Sequence, residues 1–520
     1  MVPIGISPPL RRRRLLRGEI TYSAAKERET NVLHSLNYWG QQNQYFEDLR
    51  GKSNLVEAAV AHHLGLKSSS CCRVADSNEW LSGTFNVCIP VYIGGEKHCP
   101  KLLVRLPLPY RVGEKSNEGN ADEKVRCEAG TYAWLQQNCP EVPVPRLYGF
   151  GLSTGQKFTS VDKLPFVARC VESLRRCLLR FLGYPVPSAY VPHKSRSGEG
   201  LGAGYLLIEY IDQSRGRMLS ESWEEGRHNA KLRENLFRSL SRIIIAATRV
   251  SQPKIGSFTL DDQGCLKLGN RPLTLEIQGL ENEHIPVDIP RGLTYSTVDS
   301  YVNDMLAFHE SRLSNQPNAV NDVQDCLFQI AALTVMRTIR QLFFRPELRR
   351  GPFYMSFTDL HQSNIFVEDA WNIMSLVDLE WACARPVEMI HPPFWLTNQS
   401  VDEIDFAEYE KIHTEFLSVL AEEELKHASQ RSLHLHRIME DGWTKGTFWY
   451  ALALDSPTGL FRIFYDHIQP NFSKDHIINP AFFRIMMDYW AVGANKFVQK
   501  KVKDKEQYDK LLLEAFAEPS

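Results

Sequence analysis

Apolar residues follow two rhythms along this chain, and the change of rhythm divides it. From 23 to about 64 the spacing of Val32, Leu33, Leu36, Phe46, Leu49, Leu55, Val60 and Leu64 is helical, punctuated by Gly40, Gly51 and Gly65. From 80 to 106 the pattern turns to strands, with apolar runs at 85–93 and 102–106 joined by a Gly94-Gly95 turn signal. A helix over 121–137, a strand over 147–151 and a buried strand over 205–211 follow. Residues 153–204 read as an insertion, with a basic helix over 168–182 and a Gly/Ser/Pro-rich remainder. Beyond Asp212 the helical period dominates. It predicts a helix over 227–250 and a hairpin-like element around Asp261-Asp262-Gln263-Gly264. A loop-rich stretch to about Ser300 comes next, and then a long helix through Val323, Leu327, Ile330, Leu333, Ile339 and Leu342. The class these elements predict is α+β: a small β-rich lobe followed by a larger helical one.

Within the helical part, 357–381 is an exception. Two short apolar runs, 365–367 and 373–377, flank the turn-forming residues 368–372 and predict a hairpin. Its first strand starts at Asn364 and its second ends at Asp378, so an amide oxygen and a carboxylate meet at its open end. Asp359 lies in the loop leading in. Hard oxygen donors beside a further carboxylate can hold Mg²⁺ and take a proton from a hydroxyl. Upstream, Arg105 sits in the middle of an apolar strand, and an unpaired buried cation is very costly. Glu128, on the helix that follows, is the candidate partner. A strand cation held by a helix carboxylate can be aimed at nucleotide phosphates; a purely structural ion pair is the alternative. Ser82-Gly83-Thr84 forms either a small loop that brings backbone N–H groups to a phosphate or an ordinary turn. Glu209, Tyr210 and Ile211 mark the junction between lobes, where backbone groups can meet an adenine edge.

Composition narrows the classes further. The 520 residues are 43% hydrophobic and 23% charged with a net charge of −2, which gives no reason to expect nucleic acid as a partner. No apolar run is long enough to span a bilayer, so no membrane partner is expected. Eleven scattered cysteines without a C-x-x-C pair read as free thiols in a reducing compartment. His62-His63 points two ways on a helix and reads as structural. Arg11 to Arg14 and Arg17 resemble a mitochondrial presequence in charge, whereas Pro3, Pro8 and Pro9 oppose a helix there. The expectation is an untargeted disordered arm over 1–22 in a cytoplasmic protein, with mitochondrial import as the alternative. A helical lead-in over 23–78, an N-lobe over 79–211 and a C-lobe over 212–520 complete the division. The arginines at 169, 175, 176 and 180 read as a solvated face. So do Asp402, Glu403, Asp405 and Glu408, whose alternative is a receptor for a cationic substrate.

Taken together, the residues resemble the two-lobed protein-kinase-like fold, in the aminoglycoside and choline phosphotransferase superfamily and its fungal branch. The resemblance runs from about Trp80 onward. It rests on Asp359-Leu360-x-x-x-Asn364, which looks like a kinase catalytic loop, and on Val377-Asp378-Leu379-Glu380-Trp381-Ala382, which looks like that superfamily's metal-binding segment. The order of strand cation, helix acid, hinge, loop and metal aspartate agrees. The resemblance implies ATP and Mg²⁺, with Asp359 as catalytic base, Asn364 and Asp378 as metal ligands, and Arg105 with Glu128 positioning phosphates. No A-P-E-like segment follows Asp378, so a small molecule carrying a hydroxyl or amine is the implied acceptor. The chain departs from the pattern at Phe357, where a histidine is usual, at Arg105 in place of lysine, and in its glycine-poor phosphate loop. Two readings stand: an active small-molecule phosphotransferase, or a pseudokinase that binds nucleotide or acts as a scaffold.

Overall fold

The computed structural model describes residues 10–94, 100–193, 200–426 and 433–517. Its first lobe is an antiparallel sheet of eight strands. These are β1 (Cys72–Val74), β2 (Leu81–Ser82), β3 (Asn86–Ile93), β4 (Lys101–Pro107), β5 (Leu147–Gly151), β6 (Lys157–Ser160), β7 (Tyr190–His193) and β8 (Tyr205–Glu209). Their order is β1-β3-β4-β8-β5-β6-β7, with β2 paired to β3. The predicted β3–β4 hairpin is present; the tip expected at Gly94-Gly95 lies partly outside the described residues.

Side-chain alternation assigns the two faces of this sheet. Val87, Ile89 and Val91 of β3, with Leu102, Val104 and Leu106 of β4, pack against Val56 and Val60 on one helix of an antecedent pair, α1 (Tyr38–Gly51) and α2 (Ser53–Leu64). The intervening positions of β4 therefore face the other way, toward α3 (Asn120–Asn138). That is the physical reason why Arg105 meets α3. His63 is buried and bonds Thr159 and Tyr205 at 2.9 Å each, which is the structural role expected of it.

Two parts of the division come out differently from expectation. Residues 10–22 are ordered. Arg13–Arg14 pairs with Glu19–Ile20, and Ile20 packs with Tyr508, Leu512 and Phe516 of the last helix, so apolar contact outweighs the local charge repulsion. Residues 1–9 lie outside the described residues. Within the stretch read as an insertion, β6 and β7 continue the sheet, and α4 (Phe166–Phe181) connects them.

The second lobe is mainly helical, with α5 (Ala230–Ala247), α6 (Leu275–Asn282), α7 (Val298–Asn315) and α8 (Val323–Ile339) among its elements. The short α6 occupies a stretch expected to be loop. Thr274 caps it, and buried Ile277 and Leu280 anchor it, too few positions for a periodic signal. The expected hairpin is present as β9 (Ser257–Leu260) and β10 (Leu266–Asn270). Gly130 of α3 lies so close to β9 that a Cβ there would sit 2.2 Å from the Phe258 carbonyl oxygen. Helix α3 is thus fitted tightly to the second lobe as well as to the sheet.

Candidate active site

Four short strands build the site. β11 (Phe353–Phe357) leads into the Asp359 loop, and β12 (Ile365–Val367) pairs with β13 (Ile373–Leu376) as predicted, Ile365 opposite Leu376. β14 (Ala382–Pro386) returns along β11, Phe357 opposite Ala382. This second pairing was not legible in the sequence, because Phe353-Tyr354-Met355 shows no alternation and Pro386 suggested an end to regular structure. It sets Phe357 in the strand that delivers the loop. The loop is then fixed from three sides. Asn364 Nδ2 donates to the Asp359 carbonyl oxygen at 2.8 Å and to its carboxylate at 3.2 Å. Trp395 Nε1 donates to the Leu360 carbonyl at 2.6 Å, and Thr358 Oγ1 to that of Trp381 at 2.7 Å.

Asp378 adopts the left-handed region, φ 61° and ψ 59°, which Asp tolerates better than most residues and which recurs at functional sites. The turn presents Asp378 and Glu380 to the same guanidinium. Arg105 Nη1 is bonded to Asp378, Nη2 donates to both Glu380 carboxylate oxygens at 2.8 and 2.7 Å, and Nε lies 3.3 Å from Glu128. The expected pair Arg105 and Glu128 is thus brought together, but Glu380 is the closer and better-aligned partner. Glu380 also accepts from Lys124 Nζ and from Asn86 Nδ2, each at 2.9 Å, while Lys124 donates to Asn86 Oδ1 at 2.5 Å. Glu380, Lys124 and Asn86 were missed by sequence reasoning. The second acid of the Asp378-x-Glu380 segment was a usable signal for Glu380; nothing local marked the other two.

Carboxyl groups outnumber cations in the cluster. Arg105 and Lys124 face the carboxylates of Asp378, Glu380 and Glu128, two cations against three potential anions. Burial disfavours ionised Glu380, but Arg105 and Lys124 hold its carboxyl low. Burial pushes Glu128 up despite Arg105. Burial, then the charges of Glu380, Asp378 and Glu276, pushes the Asp359 carboxyl up to about 8. Asp359 and Asp378 line one small cleft together with Phe357, Leu360 and Trp381.

Next to this cleft, and sharing Phe357, Thr358 and Leu360 with it, is a cavity of about 320 Å³. Ile244, Met355, Met389, Phe394, Trp395 and Leu452 supply apolar walls; Glu276, Asp455 and Arg385 supply a polar edge. Arg385 donates to Asp455 at 2.5 Å. Burial and the neighbouring Asp455 push the Glu276 carboxyl up to about 7. None of Asp402, Glu403, Asp405 and Glu408 lines this cavity. Asp405 instead accepts the Glu408 N–H at 2.8 Å, at the entry to a helix.

Other expected nucleotide contacts lie apart from the cluster. Ser82 and Gly83 are exposed, with Ser82 Oγ accepting from Gln42 at 3.1 Å; only Asn86, just beyond them, reaches Glu380. Glu209 is bonded to Arg215 and to the Arg146 N–H, and half-buried Tyr210 has Lys101 over its ring at 5.3 Å. Ile211 is also half-buried.

The donor set at the open end of the hairpin is hard oxygen: the half-exposed Asp378 carboxylate and the Asn364 amide, with Asp359 adjacent. Among the described residues no three His, Cys, Asp or Glu side chains converge on one point. Oxygen donors of this kind are those that Mg²⁺ takes beside waters and phosphate oxygens.

The architecture that holds the site is a two-lobed α+β fold, with Arg105 on the sheet lobe and Asp359, Asn364 and Asp378 on the helical lobe. No protein-family model matches the sequence, and no curated protein does. Among solved structures, aminoglycoside phosphotransferase APH(4)-Ia is similar at a TM-score of 0.36 and 10% identity, over 89% of this chain and 99% of that one. A thermostable mutant of the same enzyme, in ternary complex with AMP-PNP and hygromycin B, gives 0.34 and 11% over 89% and 99%. Choline kinase from Cryptosporidium parvum gives 0.29 and 11% over 86% and 92%. Likeness at this level carries no argument about activity; the chain's own residues must carry it.

Proposed function

We propose that this protein is an ATP- and Mg²⁺-dependent phosphotransferase acting on a hydroxyl or amine of a small molecule. The observation that carries the reading is Asp359, clamped by Asn364, sharing a cleft with Asp378 and adjoining a cavity sized for a small molecule. Asp378 and Asn364 would hold Mg²⁺, which when bound neutralises charge on the phosphates. Asp359 takes the proton from the acceptor oxygen as that oxygen bonds to the γ-phosphorus and the bond to the leaving ADP oxygen breaks. Cation binding beside Asp359 lowers its pKa from about 8 and readies it as a base. Arg105 is the candidate for the nucleotide phosphates, oriented by Glu380 and Glu128. Ser82, Gly83 and the Glu209–Ile211 junction are proposed to border the nucleotide.

Incubation with Mg²⁺-ATP and a panel of small alcohols and amines is expected to give a phosphorylated product. Asp359→Asn is expected to slow that reaction by about 10²–10⁴-fold, the usual contribution of a general base. The pseudokinase reading is favoured by one observation, the ion pair that engages the Asp378 carboxylate with Arg105. ATP binding without turnover across the panel would establish it in place of the first.

A further inference from the structure

Helix α4 is inside-out. In helical projection Phe166, Val167, Val171, Leu174, Leu178 and Phe181 share one arc of about 140°, and that arc faces solvent. Phe166 is 71% exposed, Val167 72%, Leu174 71% and Phe181 85%. Cys170 and Cys177, both exposed, lie within the same arc. The buried side of the helix is the polar one. Glu172 turns inward and pairs with Arg175 at 3.4 Å and Arg176 at 3.3 Å, and Arg176 also donates to the Ser188 carbonyl. Arg169, Arg175 and Arg180 are exposed, as the solvated-face reading expects, and the apolar arc is exposed beside them. No other helix of the second or first lobe turns a comparable apolar arc outward among the described residues.

The charges at the rim indicate what covers the arc. Arg169 and Arg180 flank one edge and Arg175 the other. Arg169 lies over the Phe166 ring at 5.8 Å. Neither Arg169 nor Arg180 has a carboxylate partner among the described residues, where the helix forms ion pairs only through Glu172. Stacking the arcs of two copies would bring these rims together as like charges. A layer with an apolar interior and an anionic face satisfies both features at once, and an apolar arc edged by arginine is the pattern of helices lying in a membrane interface. We propose that α4 docks this protein onto an anionic lipid surface, its apolar arc inserted at the headgroup boundary and Arg169, Arg175 and Arg180 meeting lipid phosphates. No described helix is long and apolar enough to cross a membrane, so the association is with the surface.

The test is co-sedimentation of the full chain with phosphatidylcholine vesicles, with and without phosphatidylserine. Binding is expected with phosphatidylserine and is expected to weaken as salt is raised. The double variant Leu174→Glu/Phe181→Glu should reduce the bound fraction at least about tenfold, with an unchanged melting temperature because both side chains are exposed. Vesicles should also shield Cys170 and Cys177, but not the exposed Cys71, from a water-soluble maleimide, as read by peptide mass spectrometry. Three outcomes would overturn the proposal: no binding to phosphatidylserine vesicles, binding that the variant leaves intact, or a dimer in solution that the variant splits without any vesicle binding.

Discussion

Two buried ion clusters flank α3, and they differ in completeness. On one side Arg271 donates to both oxygens of Glu123 at 2.9 and 2.8 Å and to both oxygens of Glu281 at 2.6 and 2.9 Å, with Arg291 adding a second cation at 3.2 Å from Glu123. Cations and carboxylates balance there. On the other side Arg105 and Lys124 face three carboxylates, and Arg105 Nε and Glu128 Oε1 have no hydrogen-bond partner. Buried polar groups are nearly always satisfied, so an exception calls for a reason. The balanced cluster ties the helix to the second lobe. The unbalanced one lies beside Asp359 and Asp378, and burial offsets its extra carboxylate by pushing Glu128 up toward its neutral form.

The sharpest way to break this comparison is to remove each arginine in turn. Arg271→Met leaves two buried carboxylates with little compensation and is expected to cost about 3–5 kcal/mol in chemical denaturation. Arg105→Met leaves Lys124 on Glu380 and relieves a desolvated charge, so a smaller loss, about 1–3 kcal/mol, is expected. Equal losses would mean that both clusters are structural. Second in size is the response to metal. Mg²⁺ with a non-hydrolysable ATP analogue should raise stability by about 2–3 kcal/mol at a hundredfold excess over Kd, and Asp378→Asn should remove most of that gain in a thermal-shift assay. A gain that survives Asp378→Asn would place the cation elsewhere.

The smallest effect expected is a pH dependence. The folded-state pKa of Asp359 is raised to about 8, above its unfolded value, so the folded protein holds this proton more tightly. That contribution is full below the unfolded pKa and is lost as pH rises through about 8. Asp359→Asn, which cannot ionise, should therefore melt above the parent by a margin that widens from about pH 4 to about pH 8 and stays constant above that. Because Asp359 is half-buried, solvent screening keeps the margin to about 1–2 kcal/mol. A margin that stays constant with pH would leave the Asp359 proton unperturbed by its neighbours.

The β12–β13 hairpin was legible because its signals are local: two apolar runs, a turn between them, and polar residues at the ends. Strand β4 was legible too, including the need of Arg105 for an anion. The identity of that anion was only partly so. Glu128 was inferred from the next helix, while Glu380 lies 275 residues away and takes the stronger contact. The β11–β14 pairing was hidden for the same reason, since a strand of five residues without alternation is recognised only by its partner. Helix α4 was expected as a helix, but its amphipathic pattern does not state which side faces inward.

The sequence by itself determined the long helices, the β3–β4 and β12–β13 hairpins, the two-lobed α+β class, and the placing of Asp359, Asn364 and Asp378 around one turn. Periodicity and turn chemistry act over a few residues, so a linear reading captures them. Tertiary structure alone decided that Asp378 and Glu380 converge on Arg105, that Lys124 and Asn86 join them, and that burial, with neighbouring charge, makes Asp359 hold its proton. Electrostatic energy depends on distance through space and on burial, and neither is set by position along the chain.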